Sequence, residues 1–176
     1  MISVIIPVYN AANYLRPLLK SLIIQTYKDM EIIFVDDKSE DDSVEIIRNF
    51  QKEDNRIILH QKEHQGVSMA RNFGIQKATG KYLRFLDADD TVDMDSMERM
   101  VHAMDTDSEV DLVIGNYSDS TGEHYYGSSA LQGKVPPEDF LSDFVEYPKT
   151  FYYGVVWNKL YKKDIIDGQG IRFPQE

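Results

Sequence analysis

A chain of 176 residues with 19 basic and 30 acidic side chains, a formal charge of −11, is long enough for one domain with a real core or for a domain plus an appendage. That charge argues against a duplex nucleic-acid binder, which needs a basic face, while leaving room for a single nucleotide bound through a metal. No cysteine is present, so disulfides and thiolate zinc sites are ruled out.

The opening run Met1-Ile2-Ser3-Val4-Ile5-Ile6-Pro7 is too short to span a membrane and lacks the basic flank of a signal peptide. The expectation is a cytoplasmic protein, with an amphipathic membrane contact left open. Ser3 to Ile6 is continuously apolar, as a strand covered on both faces would be, and Pro7 is expected to stop it. Leu15, Leu18, Leu19, Leu22 and Ile23 follow at helical spacing. Glu31 to Val35 predicts a second strand, ending at Asp36-Asp37-Lys38-Ser39. The pattern Asp42-x-x-Glu45 can open a helix whose apolar side is Ile46, Ile47 and Phe50. Arg56 to His60 predicts a third strand, and Val67 to Ala78 a helix with Gly80 as its stop.

Lys81 to Leu86 then predicts a fourth, buried strand that runs into Asp87-Ala88-Asp89-Asp90. Unpaired charge is costly to bury, so these carboxylates belong at the strand's end, in a crevice or in solvent. Two readings stand side by side. Crowded carboxylates repel unless a cation joins them, and Mg²⁺ or Mn²⁺ prefers such oxygen ligands. An acidic turn also favours the N-terminus of a following helix.

Beyond it, Met97, Met100, Val101 and Met104 mark another helix, a core stripe rather than a cofactor box. Val110 to Gly115 predicts a further strand, and Asn116 to Gly133 a loop or irregular hairpin. Pro136-Pro137-Glu138 can start a short helix with Phe140, Leu141 and Phe144 inward. Phe151 to Tyr161 is aromatic and apolar, and a polar tail follows.

Strand alternates with helix through the first ninety or so residues, which implies an α/β fold: a mostly parallel sheet with helices on both faces. Ligands of such sheets bind beyond the carboxyl ends of the strands. Tyr9-Asn10, Asp36-Asp37 and Asp87-Ala88-Asp89 each follow a strand directly and should share one rim. Residues 1–115 keep the regular rhythm, and over 116–176 of the same domain it is lost, as if a substrate-facing appendage replaced it. No Gly-x-Gly-x-x-Gly follows the first strand, and Gly80-Lys81-Tyr82 lacks the spacing and hydroxyl of a P-loop. A nucleotide diphosphate would therefore be neutralised by other means, for which a carboxylate-held metal is suited.

Ser3-Val4-Ile5-Ile6-Pro7-Val8-Tyr9-Asn10, Gln25-Thr26-Tyr27, Val35-Asp36-Asp37-Lys38-Ser39, Gly66-Val67-Ser68-Met69-Ala70-Arg71-Asn72 and Asp87-Ala88-Asp89-Asp90 occur in an order that resembles family 2 of the inverting glycosyltransferases, which have the GT-A fold. Trp157-Asn158-Lys159-Leu160-Tyr161 and Ile171-Arg172-Phe173-Pro174 also resemble segments of bacterial members. The resemblance implies a sugar moved from a nucleotide-diphosphate donor, UDP-sugar by family habit, to a saccharide or lipid-linked acceptor hydroxyl with inversion. Pro7, Tyr9 and Asn10 would line the nucleotide pocket, with Tyr9 beside the base. Asp37 or Asp36 would accept from the base, or form a helix-capping turn. Arg71 would reach the base or the diphosphate, or be a solvated helix arginine. Asp87, with Ala88 beside it, would approach the ribose, and Asp89 would hold Mn²⁺ or Mg²⁺. Asp90 would serve only as the cap of the next helix in this scheme, and Trp157 would be either an acceptor-side stacking ring or a core anchor.

Two departures stand out. The family commonly has Gly where Lys38 stands, a position that permits a positive φ, so Lys38 would bend differently or carry mild strain. His64-Gln65-Gly66 replaces a more usual Asn-Gly pairing, a change that reads as loop drift. His60, His64, His102 and His124 show no ligand spacing, and Ser68 has no local histidine for a hydrolase triad. The family's general base usually follows the segment matched by Ile171-Arg172-Phe173-Pro174, so it is expected beyond Glu176, in a longer enzyme of which this is a piece. Surface polysaccharide assembly at the inner face of the membrane is the implied setting. The rivals are a nucleotidyltransferase, which would normally show a Gly-rich first loop, and a nucleotide-binding domain without chemistry. A glycosidase needs neither metal nor nucleotide pocket.

Overall fold

The computed structural model describes residues 1–118, 124–125, 133–146 and 154–175. Its main sheet contains β1 (Ile2–Val8), β2 (Met30–Asp36), β3 (Ile57–Gln61), β4 (Tyr82–Phe85), β5 (Leu112–Ile114) and β8 (Lys159–Lys162), in the order β3-β2-β1-β4-β8-β5. β3, β2, β1 and β4 are parallel; β8 runs antiparallel to both β4 and β5. β6 (Tyr117–Ser118) and β7 (His124–Tyr125) pair antiparallel, in line with the hairpin alternative for this stretch.

Alternation along the strands sorts the core into two faces. Ile2, Val4, Ile6, Ile32 and Phe34 point one way, onto α1 (Ala12–Ile23), α2 (Ser43–Gln51) and α4 (Ser96–Thr106). Leu15, Leu18, Leu19 and Leu22 of α1 are completely buried there, each contributing about 1.5–3 kcal/mol of apolar burial. Ile5, Ile33, Val35 and Leu83 point the other way, onto α3 (Val67–Lys77) and α6 (Lys163–Gly168). The methionine stripe of α4 is core: Met97, Met100 and Met104 are all buried.

Several expectations give way to geometry. β1 continues through Pro7 to Val8 instead of stopping. Along a parallel strand, the N–H and C=O of one residue face the same neighbour. Ile5 O accepts from Leu86 N–H on the β4 side, and Val8 O accepts from Asp37 N–H on the β2 side. Pro7 therefore faces the β4 side, beyond the last β1–β4 pair at Ile5 and Phe85, where its missing N–H interrupts no paired stretch of the ladder. Gly80 is not the stop of α3; that helix ends at Lys77 because Ala78 turns extended at ψ 130. Gly80 is instead a point of close approach, where a Cβ would lie 2.7 Å from Ser3 N. Asp42 precedes α2 but its side chain makes no capping bond.

α5 (Pro137–Glu146) forms as expected, but its apolar residues are not inward: Leu141 is 57% and Phe144 39% exposed. The stretch Phe151 to Tyr161 yields β8, inserted between β4 and β5, although residues 151–153 lie outside the described residues. Among the described residues no helix is long and apolar enough to cross a membrane.

Candidate functional site

The carboxyl ends of β1, β2 and β4 lie side by side, so their polar tips share one rim. Tyr9 and Asn10 leave β1, both exposed, with Asn10 at φ 48, a left-handed conformation that asparagine tolerates well. Ser39 and Asp41 of the β2–α2 loop and Ser43, the first residue of α2, hold this turn, Ser39 Oγ accepting the Asn10 N–H at 2.9 Å. Ser43 Oγ accepts the Ala11 N–H at 2.9 Å, and Asp41 Oδ2 accepts the Ala12 N–H at 2.9 Å, satisfying donors at the start of α1. The Asn10 side chain returns a bond, accepting from Glu40 N–H at 2.8 Å.

Asp36 is fully buried, and both its oxygens face the Ser39 N–H at 3.3 Å. Asp37 lies next to it, 2% exposed, within a shell of donors. Lys62 Nζ and Gln65 N–H donate to Oδ1 at 2.7 and 3.0 Å, and Gly66 N–H donates to Oδ2 at 2.8 Å. His64 Nδ1 lies 2.8 Å from Oδ2, and its ring stacks on Tyr9 with centroids 4.4 Å apart. Burial pushes the Asp37 carboxyl up, but the Lys62 bond and the two backbone donors outweigh it and hold the group below the usual carboxylate range. Lys38 adopts φ 67, the conformation that the family's Gly implied, and pairs with Glu63 at 2.7 Å.

On the other side of β1, the acidic loop follows β4. Asp87 is about one-third exposed and pairs with Arg71 of α3 at 2.6 Å. Arg71 is thus no free solvated arginine: its guanidinium also lies 5.3 Å from the centroid of the Phe173 ring. Ala88 is partly buried against the core, and Asp89 is exposed. Asp90 does not cap α4, whose N-cap is Asp95; its Oδ2 accepts the Asp87 N–H at 2.8 Å. Burial drives the Asp90 carboxyl up to about 6, and the charges of Asp87 and Asp89 add to this, against the Asp87 N–H and the Arg84 charge. Arg84 itself is buried under α4 with Nη1 2.8 Å from Ser96 Oγ, and burial lowers its pKa to about 10.

Gln25 and Thr26, read only as part of a motif, turn out to be the struts of this loop. The buried Gln25 donates to Asp93 O at 2.7 Å and accepts from Met97 N–H at 3.2 Å, and Thr26 N–H donates to Met94 O at 2.8 Å. Asn72 is a second strut: its amide exchanges two bonds of 2.9 Å with the backbone of Phe173, tying the final segment to α3 beside Arg71. Sequence reasoning missed Lys62 and His64 as well. The rule that gathers strand tips on one rim applies equally to β3, whose tip is Lys62-Glu63-His64. Trp157 is partly buried against the core, with Tyr117 edge-on to its ring at 4.6 Å. Glu176 lies outside the described residues.

Among the described residues no three His, Asp or Glu side chains converge as a metal cage. The donor set fits a different mode. Mg²⁺ and Mn²⁺ are commonly held by one or two carboxylates plus substrate phosphates, and Asp89 offers an exposed carboxylate beside Asp87 for such binding.

The model of the family described as "Glycosyl transferase family 2" matches residues 3–168, which include every rim residue described above. The chain belongs to glycosyl transferase family 2. Among its family relatives, the glycosyltransferase GlyA of Streptococcus pneumoniae is 36% identical over 94% of this chain and 25% of that protein. EpsH of Bacillus subtilis is 34% identical over 98% of this chain and 50% of its own length. The chain therefore spans half or less of these relatives. Among solved structures, Staphylococcus aureus TarS 1–349 in complex with UDP-GlcNAc superposes with a TM-score of 0.83 at 24% identity, over 98% of this chain and 48% of that one. The mannosyltransferase PcManGT from Pyrobaculum calidifontis, in complex with GDP-Man and Mn²⁺, gives 0.72 at 21% identity over 99% of this chain and 48% of its own. At these identities the likeness concerns the fold, and this family 2 chain has the GT-A fold.

Proposed function

We propose that this chain is the donor-binding portion of a glycosyltransferase that moves a sugar from a nucleotide diphosphate, UDP for preference, to an acceptor hydroxyl with inversion. The observation that carries the reading is the shared rim, where an aromatic ring (Tyr9), a buried carboxylate (Asp37), a cation (Arg71) and exposed carboxylates (Asp87, Asp89) line up across three adjacent strand ends. Pro7 and Asn10 shape the floor between them. Asp36, sealed from solvent, acts on the nucleotide only by bracing the turn that presents Asp37.

In this reading Tyr9 takes the base, Asp37 its N–H, and Asp87 a ribose hydroxyl, while Arg71 stays poised between Asp87 and the phosphates. Asp89 would hold a divalent cation, which would supply positive charge against the departing diphosphate. Trp157 serves the acceptor side in this reading, for a saccharide or a lipid-linked acceptor. Polysaccharide assembly beside the inner face of the cytoplasmic membrane is the setting this suggests.

Calorimetry with UDP, with and without Mn²⁺, tests it. The expected result is UDP binding that Mn²⁺ strengthens at least tenfold, a gain that Asp89→Asn abolishes. Undetectable UDP binding in either condition, or an Mn²⁺ gain that survives Asp89→Asn, overturns the reading. Pyrophosphate release from a nucleoside triphosphate would instead favour a nucleotidyltransferase.

A further inference from the structure

His64 does more at the rim than fill a loop. Its imidazole lies on the Tyr9 ring, with centroids 4.4 Å apart and planes inclined by 29°. The same ring brings Nδ1 to 2.8 Å from Asp37 Oδ2 and 3.2 Å from the Asp37 carbonyl oxygen. A flat heterocycle stacked on an aromatic side chain, with a ring nitrogen presented to a buried carboxylate, makes the two contacts that a pyrimidine base would make in this place.

The donor inventory of Asp37 sharpens the point. A carboxylate offers about four lone-pair directions. Lys62 and Gln65 use those of Oδ1, and Gly66 uses one of Oδ2. His64 stands at what remains. The Gln65 and Gly66 donors are backbone groups fixed by the entry into α3, and the Lys62 side chain is 11% exposed. His64 is 52% exposed, so it alone of the four can leave without disturbing the loop. A base N–H can reach Asp37 only where the imidazole now stands.

We propose that His64 is an internal stand-in for the nucleobase: it closes the base subsite of the free protein, and swings off Tyr9 and Asp37 when a nucleotide enters. This rests on the reading of the rim as a nucleotide site. Each binding event exchanges one stack and one carboxylate contact for an equivalent pair, so the net affinity for the base end is weakened by the contacts His64 gives up. The exposed Glu63, paired with Lys38, precedes the ring that must swing, and the backbone around it stays in place.

The test compares UDP, UMP and inorganic pyrophosphate on the wild-type chain and on His64→Ala, with Mn²⁺ present. The expected result is five- to twentyfold tighter binding of UDP and UMP by His64→Ala, with pyrophosphate unchanged. A second readout needs no variant affinity. On saturating the wild type with UDP, the His64 ring-proton resonances, assigned by their loss in His64→Ala, should move out of the shielding field of Tyr9. If the wild type binds UDP while His64→Ala binds it equally or more weakly, or the resonances stay shielded, the stand-in is overturned and the nucleotide site stands. If neither protein binds UDP, the site itself falls and the stand-in with it.

Discussion

Lys38 carries the clearest local cost in the chain. Its φ of 67 is a conformation for which an L side chain pays about 1–2 kcal/mol, and its partner Glu63 is too exposed to return much. Lys38→Gly is expected to raise stability by about 0.5–1 kcal/mol, after allowing for glycine's greater unfolded freedom, read as a higher urea midpoint at unchanged slope. A lower midpoint would mean that the Glu63 pair matters more than the backbone. This strain was legible beforehand, because the resemblance placed a glycine at that turn. The donors around Asp37 were not. The rim rule would have brought Lys62 and His64 near the tip of β2, but Gln65 and Gly66 sit in a loop with no periodicity, and nothing in a linear string says that their backbone closes on Asp37.

Among the elements, the first four strands and helices were legible because each carries a complete period: unbroken apolar runs for strands covered twice, and Leu or Met at helical spacing for α1 and α4. α3 was legible as a helix, but its seat was not. Gly74 rests so close to β1 that a Cβ would fall 2.3 Å from Ile5 Cγ2. Gly74→Ala is therefore expected to destabilise by about 1–3 kcal/mol despite alanine's better helix propensity, seen as a lower melting temperature. A neutral or stabilising result would show that Ile5 can turn aside. α5 shows the converse limit. Its periodicity is sound, yet Leu141 and Val145 are 57% and 74% exposed, because a helical repeat states which side is apolar and not whether anything covers it.

At the scale of the whole molecule, excess acid is managed in two opposite ways. The Asp37, Glu31 and Asp54 carboxyls are held below their ordinary range by hydrogen bonds or by Arg56, so they add stability above that range and lose it as pH falls through their folded values. Asp90 runs the other way. With its pKa raised to about 6, it is stabilised neutral in the fold, and its ionisation costs stability as pH climbs from the ordinary carboxylate value through about 6. In metal-free buffer, Asp90→Asn is expected to raise the melting temperature at pH 7.5, by a margin that shrinks towards pH 4; equal margins at both values would assign the gain to packing. The mixed sheet also imposes an order of assembly. β8, residues 159–162, is wedged between β4 and β5, so β5 meets the sheet only through a strand made some forty-five residues later. During synthesis β4 must wait as an unsatisfied edge, and Leu112–Ile114 must stay undocked, until that late strand leaves the ribosome. A chaperone or a slow codon acting between those two moments would find the half-built sheet with its backbone open on one side.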